Sequence, residues 1–414
     1  MKIFRDLGYW PYVSLKKLRQ SPRVIADRNP KFMADEVVRP ASSDKYAIVV
    51  SYSGASLTED FVDLLRNLRN RSINAILVCN GRPREESLVR LRAEAHRILV
   101  RRNIGRDMGA YRAATLYLNA APLAASRILY FNDSVVYLAG PGLDRTIAAM
   151  ADSAYPVVGT FENHEFHHHI GSYAFSVSGT VFRDPKVLAF WRRYRPYDIR
   201  PHAIRQGEIA MSRRLKKLGY PIDVIYSADR LGQRLHQMEG AQILDLVKYM
   251  PTAWRSIFLD RVRMGPLGPG ERLTEEFSQP LRRSGEPARR VLALSAVGPS
   301  RPRVEAAAQP APVGSLATMT EEMAKIALID LMLGEITRGS QVHIGFGVYH
   351  VLMGAPLVKK DLLQRGIYVE HDANFILRDV SDDSRAVAMR QLINRGRPIA
   401  IHGMKRFLVH HGLE

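Results

Sequence analysis

Between Tyr46 and Phe131 short apolar runs alternate with segments of helical period. Residues 47–52 form an apolar run of strand length. Phe61, Leu64, Leu65 and Leu68 then recur at helical intervals, behind the capping-box spacing of Ser56 and Glu59. Residues 75–79 read as the next strand, stopped by Asn80-Gly81. A charged helix is expected over 85–95, a strand over 97–100, a helix over 110–119 and a strand over 128–131. Strands separated by single helices leave few topologies, because parallel neighbours need a crossover and crossovers are right-handed. The expected fold is α/β, with a Rossmann-like, doubly wound, mostly parallel sheet.

Such sheets bind ligands at the carboxyl ends of their strands. Two polar turns stand there. One is Asn103-Ile104-Gly105-Arg106-Asp107-Met108-Gly109, and the other is Asn132-Asp133-Ser134. Gly105 and Gly109 let backbone approach a ligand closely. Arg106 offers a planar, permanently charged fork for phosphate oxygens. Asp107 suits a sugar or ribose hydroxyl. Asp133 suits Mg²⁺ or Mn²⁺, hard cations that take oxygen ligands and neutralise a departing diphosphate. Ser51 and Tyr52 close the first strand and are candidate substrate contacts, as is Asn132. A turn with a surface ion pair, or an Asx-turn at Asn132, would also account for these residues.

Beyond residue 150 the pattern loosens. Strands are expected over 157–160 and 222–226, and extended chain over 173–182. Asp184-Pro185 opens a helix as cap and first residue. Another helix is expected over 205–218, closed by Gly219. Glu208 near its start is either a dipole-favoured surface carboxylate or a general base. In the run His164, His167, His168, His169, only Glu162 and Glu165 offer acidic partners, which argues against zinc. His169 is expected to reach the pocket, and the others to be exposed loop residues. Residues 265–315, rich in Pro, Gly, Ser, Ala and Arg, read as a flexible linker. Thr318 and Glu321 then repeat the capping-box spacing. Met323, Ala327 and Leu331 with Ile326 form a helical stripe blurred by Asp330.

With 414 residues the chain can hold one large domain or two ordinary ones. Its single cysteine, Cys79, excludes an intrachain disulfide and sits in an apolar run, as a buried structural thiol would. A continuous apolar run of transmembrane length is absent, and Arg5 and Asp6 interrupt what would be a signal peptide core. A reducing, cytoplasmic location is expected. The net charge of +19 favours anionic partners. Zinc-finger spacing and an RNA-binding aromatic signature are both missing, so nucleic acid is not an expected partner. Residues 1–40 read as a basic leader, with Tyr9, Trp10, Tyr12, Val13, Leu15 and Leu18 beside Lys16, Lys17 and Arg19. A helix on an anionic inner-membrane surface and a helix packed on the main domain both fit that pattern.

The chain resembles the rhamnan synthesis F family of glycosyltransferases. The resemblance lies in the two turns, with Tyr130-Phe131 before the second and Val135 after it. It continues in His169-Ile170-Gly171-Ser172-Tyr173, Phe190-Trp191, Gly207-Glu208-Ile209, Leu215 and Gly219-Tyr220. It resumes in Ala355-Pro356-Leu357-Val358-Lys359-Lys360-Asp361-Leu362-Leu363. This resemblance implies a GT-A-type fold, a nucleotide-diphosphate-sugar donor and a glycan or lipid-linked acceptor in bacterial cell-surface polysaccharide assembly. Hexosyl transfer is implied, rhamnosyl transfer being one form of it. Arg106 would meet the diphosphate, Asp107 the sugar or ribose and Asp133 the metal, with Glu208 as base. His169, Ser172 and Tyr173 would line the substrate site. Many GT-A enzymes carry Asp-X-Asp where this chain has Asn132-Asp133, with one carboxylate. Residues 41–264 would form the catalytic domain, and 316–414 would complete it. A non-catalytic glycan-binding or scaffold module with the same fold is the alternative.

Overall fold

A computed structural model describes residues 2–52, 57–120, 123–165, 167–252, 254 and 321–396. The linker reading of 265–315, the Thr318 cap, Ser56 and the side chains of Tyr9, Trp10 and Met323 lie outside the described residues.

The central sheet is built from β1 (Ala34–Val37), β2 (Lys45–Tyr52), β3 (Asn74–Asn80), β4 (Arg97–Arg101), β5 (Arg127–Asn132), β7 (Val157–Asn163), β8 (His169–Ile170), β9 (Ala174–Ser178) and β10 (Ile222–Tyr226). A short β6 (Val135–Tyr137) follows β5 and belongs to a separate ribbon. The order is β1-β4-β3-β2-β5-β9-β7-β10, with β8 on β7. β4, β3, β2 and β5 are mutually parallel, whereas β1 and β9 pair antiparallel to their neighbours. From β2 the chain winds one way to β3 and β4, then returns to place β5 on the other side of β2. The topological switch point therefore lies between the carboxyl ends of β2 and β5.

Residue alternation along β2 explains the two-sided winding. Ala47 and Val49 enter a core with Leu64, Leu65 and Leu68 of the helix Glu59–Asn70. Ile48 and Val50 enter the opposite core with Tyr111, Ala114 and Leu118 of the helix Arg106–Ala120. Each fully buried aliphatic side chain contributes about 1.5–3 kcal/mol. Cys79 is buried in the first of these cores, and burial pushes its thiol up to about 12, so it packs and does not react.

Several local expectations are corrected. The helix expected from Ala110 begins at Arg106, and the Gly109 N–H already donates to Gly105 O at 2.8 Å. A Cβ on Gly109 would stand 2.1 Å from the Ile104 carbonyl oxygen. Gly109 is thus buried at a tight helix start. Thr58 stands at the cap position of the Glu59–Asn70 helix, with no side-chain capping bond. The extended stretch shortens to β9, because Ser178 accepts the Val181 N–H and opens the turn Gly179–Arg183. Asp184 caps the next helix, Pro185–Arg193, as its sequence predicts. The helix expected over 205–218 is split into a π-helix, Ala203–Ile209, and an α-helix, Ala210–Lys217. Glu208 belongs to the π segment, a feature common at functional sites.

The C-terminal residues share the first core. The helix Glu321–Thr337 buries Leu328, Ile329, Met332 and Ile336 rather than the expected stripe, and leaves Ile326 exposed. β11 (Leu357–Lys359) pairs antiparallel with β6, directly beyond the second polar turn.

The leader helix, Lys2–Ala26, buries Val13 and Val24 against Tyr197 and Ile199. After it, the buried Arg112 guanidinium donates to the carbonyls of Asp27 and Arg28, and β1 joins the sheet edge. Its outer face leaves Tyr12, Leu15, Leu18 and Ile25 exposed. The helix thus packs one stripe on the main domain and leaves a second, apolar stripe open. No helix among the described residues is long and apolar enough to cross a membrane.

Candidate functional site

Asp133 stands at the switch point. Its Oδ2 accepts the Tyr52 N–H at 2.7 Å, tying the end of β2 to the turn after β5. Asn132 is buried, and its Oδ1 accepts from Ser134 N at 3.0 Å and Ser134 Oγ at 2.6 Å. The Asx-turn is therefore present, and it turns Asp133 outward while engaging the Asn132 amide oxygen. Burial raises the Asp133 carboxyl above its ordinary value, opposed by the charge of Lys360 and by the Tyr52 N–H. Ser51 is half-buried beside this turn, and Tyr52 is exposed at the rim.

The first turn is held in an unusual backbone shape. Gly105 has φ +78° and Arg106 φ +56°. A Cβ at Gly105 would lie 2.1 Å from Pro196 Cβ, so glycine is needed twice over, for its torsion and for its space. Arg106 has no such freedom, and a non-glycine residue in the left-handed region is a local strain that neighbours must hold. They do so through a fully buried Arg101, which donates to Asn80 Oδ1 at 2.7 Å and to Ile104 O at 3.0 Å. Asp198 Oδ1 accepts the Gly105 N–H at 2.6 Å, and the Asp198 N–H donates to Gln20 of the leader helix.

Asp107 follows in the first turn of its helix. Burial, then the negative charge of Asp133, push its carboxyl up to about 6, and Arg106 and Lys359 oppose the rise. The two acidic residues, far apart in sequence, are thus electrostatic neighbours on one side of the molecule. Glu208 adds a third negative charge to the same neighbourhood. Its Oε1 accepts from Ser172 Oγ at 2.7 Å, and its Oε2 lies 3.9 Å from His169 Nε2. His169 Nδ1 faces the His167 carbonyl at 2.7 Å, which can only accept, so the ring proton is assigned to Nδ1 and Nε2 is turned to Glu208. Ser172, Tyr173 and His169 are all buried behind Glu208.

Sequence reasoning gave no role to Lys359, although its segment carries part of the resemblance. Its Nζ donates to Ser134 Oγ at 3.0 Å and stands 4.2 Å from the Tyr173 ring centroid, a cation–π contact. Burial lowers the ammonium to about 8, while the charges of Asp361, Glu208 and Asp107 favour the charged form. Asp361 accepts from His343 at 2.8 Å, from Arg200 at 3.2 Å and from Arg365 at 2.6 Å. Those partners hold its carboxyl far below the usual range. Arg106 and Arg200 lie close enough to influence each other. Three carboxylates therefore stand near cations drawn from β11, the turn after it and the starts of two helices, at Arg106 and Arg200.

The structure raises the titration of Asp107, and the sign of the consequence can be worked out. A carboxyl whose folded value, about 6, exceeds its ordinary 3.8 binds more protons folded than unfolded. Its stabilising contribution is complete below the lower value and is lost as pH rises through the higher one. Asp107→Asn is expected to raise stability at pH 7.5 by on the order of 1–2 kcal/mol, allowing for solvent at its open side, and to leave it unchanged below pH 4. Urea unfolding at both pH values measures this, and equal differences at the two would refute it.

The histidine loop departs from expectation. Only His167 and His164 are exposed, and Glu162, His164 and His168 gather with ligand atoms within 4.8 Å of one another. His168 Nε2 is 2.8 Å from Glu162 Oε2, and Lys216 Nζ stands 2.5 Å from His168 Nδ1. Glu162 also accepts the Ala228 N–H, so the cluster ties the loop to the strand end of β10.

Residues 75–245 match the family described as rhamnan synthesis protein F. An uncharacterized protein, y4gN of Sinorhizobium fredii (strain NBRC 101917 / NGR234), is 27% identical over 219 residues, 52% of this chain. The match spans 57% of that relative's length. Two solved structures show a distant likeness. One is 4-diphosphocytidyl-2C-methyl-D-erythritol synthase of Anaerococcus prevotii, at 10% identity over 45% of this chain and 88% of that one, with a TM-score of 0.28. The other is the mannosyltransferase PcManGT of Pyrobaculum calidifontis with GDP-Man and Mn²⁺, at 12% identity over 78% and 94%, with a TM-score of 0.28. The stretch matched by the rhamnan synthesis protein F family, residues 75–245, holds both Asp107 and Glu208.

Proposed function

We propose that the protein is a glycosyltransferase that moves a sugar from a nucleoside-diphosphate donor to a growing surface polysaccharide or lipid-linked glycan. The carrying observation is the meeting of Asp107, Asp133 and Glu208 with Lys359 and Arg106 at the switch point of the sheet. A diphosphate matches those cations, and sugar hydroxyls match the carboxylates. Ser51, Tyr52, Asn132, Ser172 and Tyr173 would stand around the donor and acceptor in this reading.

The residues fit a hard divalent cation. Asp107 is raised first by burial and then by the charge of Asp133, and a bound dication would offset both. Asp133 and Asp107 would hold Mg²⁺ or Mn²⁺, which supplies charge neutralisation on the diphosphate when bound. The Asn132 oxygen is already engaged and is not a ligand in this reading. Glu208 takes the proton from the acceptor hydroxyl, and Ser172, which donates to its Oε1, orients it. The acceptor oxygen bonds to the anomeric carbon as the bond to the diphosphate oxygen breaks, and the nucleoside diphosphate leaves with that electron pair. Lys359, near 8, is charged at neutral pH and meets the leaving oxygen's charge. The C-terminal segment that carries Lys359 is part of this catalytic unit.

A thermal-shift screen of nucleoside diphosphates and their sugars, with and without Mn²⁺, tests the reading, since a bound donor stabilises the native state by mass action. Stabilisation by one nucleotide class supports it. Absence of any shift at millimolar donor would reject it. The single carboxylate beside Asn132 favours a second reading, a glycan-binding module of the same fold. Donor binding without transfer or hydrolysis would select that one. The exposed stripe of the leader, with Lys16, Arg19 and Arg23 on the same helix, would hold the enzyme on the anionic cytoplasmic face of the inner membrane. Flotation with anionic but not neutral vesicles is the expected result, and indifference to lipid charge would contradict it.

A further inference from the structure

Glu162, His164 and His168 each offer one ligand atom, and the three atoms lie within 4.8 Å of one another. The proposed transfer reaction uses none of them. Glu162 stands near the end of β7 with its side chain only 9% exposed, so its charge must be met by protein groups rather than by water. The Ala228 N–H donates to Oε1 at 2.9 Å and fixes the carboxylate. His168 Nε2 lies 2.8 Å from Oε2, and His164 Nε2 lies 3.5 Å from Oε1. His164 is exposed and His168 half-buried, so solvent and a dissolved ion reach both rings.

Two imidazoles and one carboxylate are a ligand set for Zn²⁺, with bonds of about 2.0–2.2 Å and a fourth position left open. Mg²⁺ and Ca²⁺ prefer all-oxygen sets, so this group discriminates against them. Ligand atoms around one zinc stand at most about 4 Å apart, given those bond lengths. Small rotations of the two rings close the cluster to that size, and the exposed His164 is the freer to turn. Lys216 sets the state of His168 without a metal. Its Nζ is 2.5 Å from His168 Nδ1, and an ammonium can only donate, so the ring proton is assigned to Nε2, facing Glu162. Ligation through Nε2 moves that proton to Nδ1, and Lys216, which is exposed, turns into solvent.

Topology places the group usefully. β5 and β7 each pair antiparallel with β9, so they run the same way, and Glu162 lies at the same carboxyl edge of the sheet as Asp133. Glu162 precedes the turn between β7 and β8, and His168 ends it. The next residue, His169, is the one beside Glu208. We propose that Glu162, His164 and His168 bind one Zn²⁺ across the β7–β8 turn, at a site separate from the acidic one. This inference does not depend on the glycosyltransferase reading.

Isothermal titration of the untagged full chain with Zn²⁺ is the test, in excess Mg²⁺ to occupy oxygen-ligand sites. One equivalent is expected to bind. His164→Ala and His168→Ala should each weaken it at least tenfold, since even partners outside the ligand set are worth about 10–100-fold in affinity. His164 is exposed, so that variant keeps the test open if others impair folding. Lys216→Gln should bind severalfold more tightly, because its amide oxygen can accept the Nδ1–H of the ligating tautomer. Asp133→Ala should bind like wild type. Absence of a stoichiometric site, histidine variants equal to wild type, weaker binding by Lys216→Gln, or a loss in Asp133→Ala in place of the histidine variants would each overturn the assignment.

Discussion

Asp133→Ala is expected to lower sugar transfer by about 10³-fold or more while leaving the fold intact. The carboxylate stands at the switch point, held by the Tyr52 N–H, and it is the member of the Asn132-Asp133 pair whose side chain is turned outward. Removing it deletes the acidic partner of Asp107 and, in the proposed reaction, the main anchor of the dication. Stability should not fall. Burial raises this carboxyl, so its ionised form opposes folding at neutral pH, and the Tyr52 N–H it releases lies at an exposed rim. Initial rates and thermal midpoints on the same preparation give the answer. Wild-type turnover by a normally folded Asp133→Ala protein would reject the role.

Glu208→Gln is expected to lower kcat by about 10²–10⁴-fold with donor affinity nearly unchanged, because an amide keeps the shape and loses the proton acceptor. Ser172→Ala, which removes the hydroxyl donating to Oε1, should cost less, about tenfold, since it loosens the carboxylate without deleting it. A positioning role and a proton-transfer role then separate by rescue. Formate should restore part of the rate to Glu208→Ala if a carboxylate must take the proton. A glutamine variant with unchanged kcat, or an alanine variant indifferent to formate, would remove Glu208 from the chemistry.

The frame of the fold was legible in the sequence because it rests on local signals. Alternating apolar runs and helical stripes from Tyr46 to Phe131 specified strands, crossovers and hence the parallel order of β4, β3, β2 and β5. The acidic turns were legible for the same reason, since strand ends are predictable once strands are. What escaped were features set by distant packing. Gly109 reads in sequence as part of a loop, because the contact that demands glycine there, the Ile104 carbonyl, exists only once the helix starts at Arg106. Glu208 looked like the start of an ordinary helix, and no single-sequence pattern marks a π segment. Lys359 lies far along the chain from Asp107 and meets the site only through the β6–β11 ribbon, a pairing no local periodicity encodes. The histidine loop shows the same limit, because Glu162, His164 and His168 converge through the β7–β8 turn rather than through ligand spacing.

Asp107 and Asp133 come from turns on different strands, and the account holds that one donor molecule touches both. A double-mutant cycle on donor affinity tests that directly, using Asp107→Asn, Asp133→Asn and the pair. The account predicts strong non-additivity, with an interaction of about 1–3 kcal/mol, as for groups sharing one ligand. Losses that simply add, or donor affinity that survives the double substitution, would contradict it.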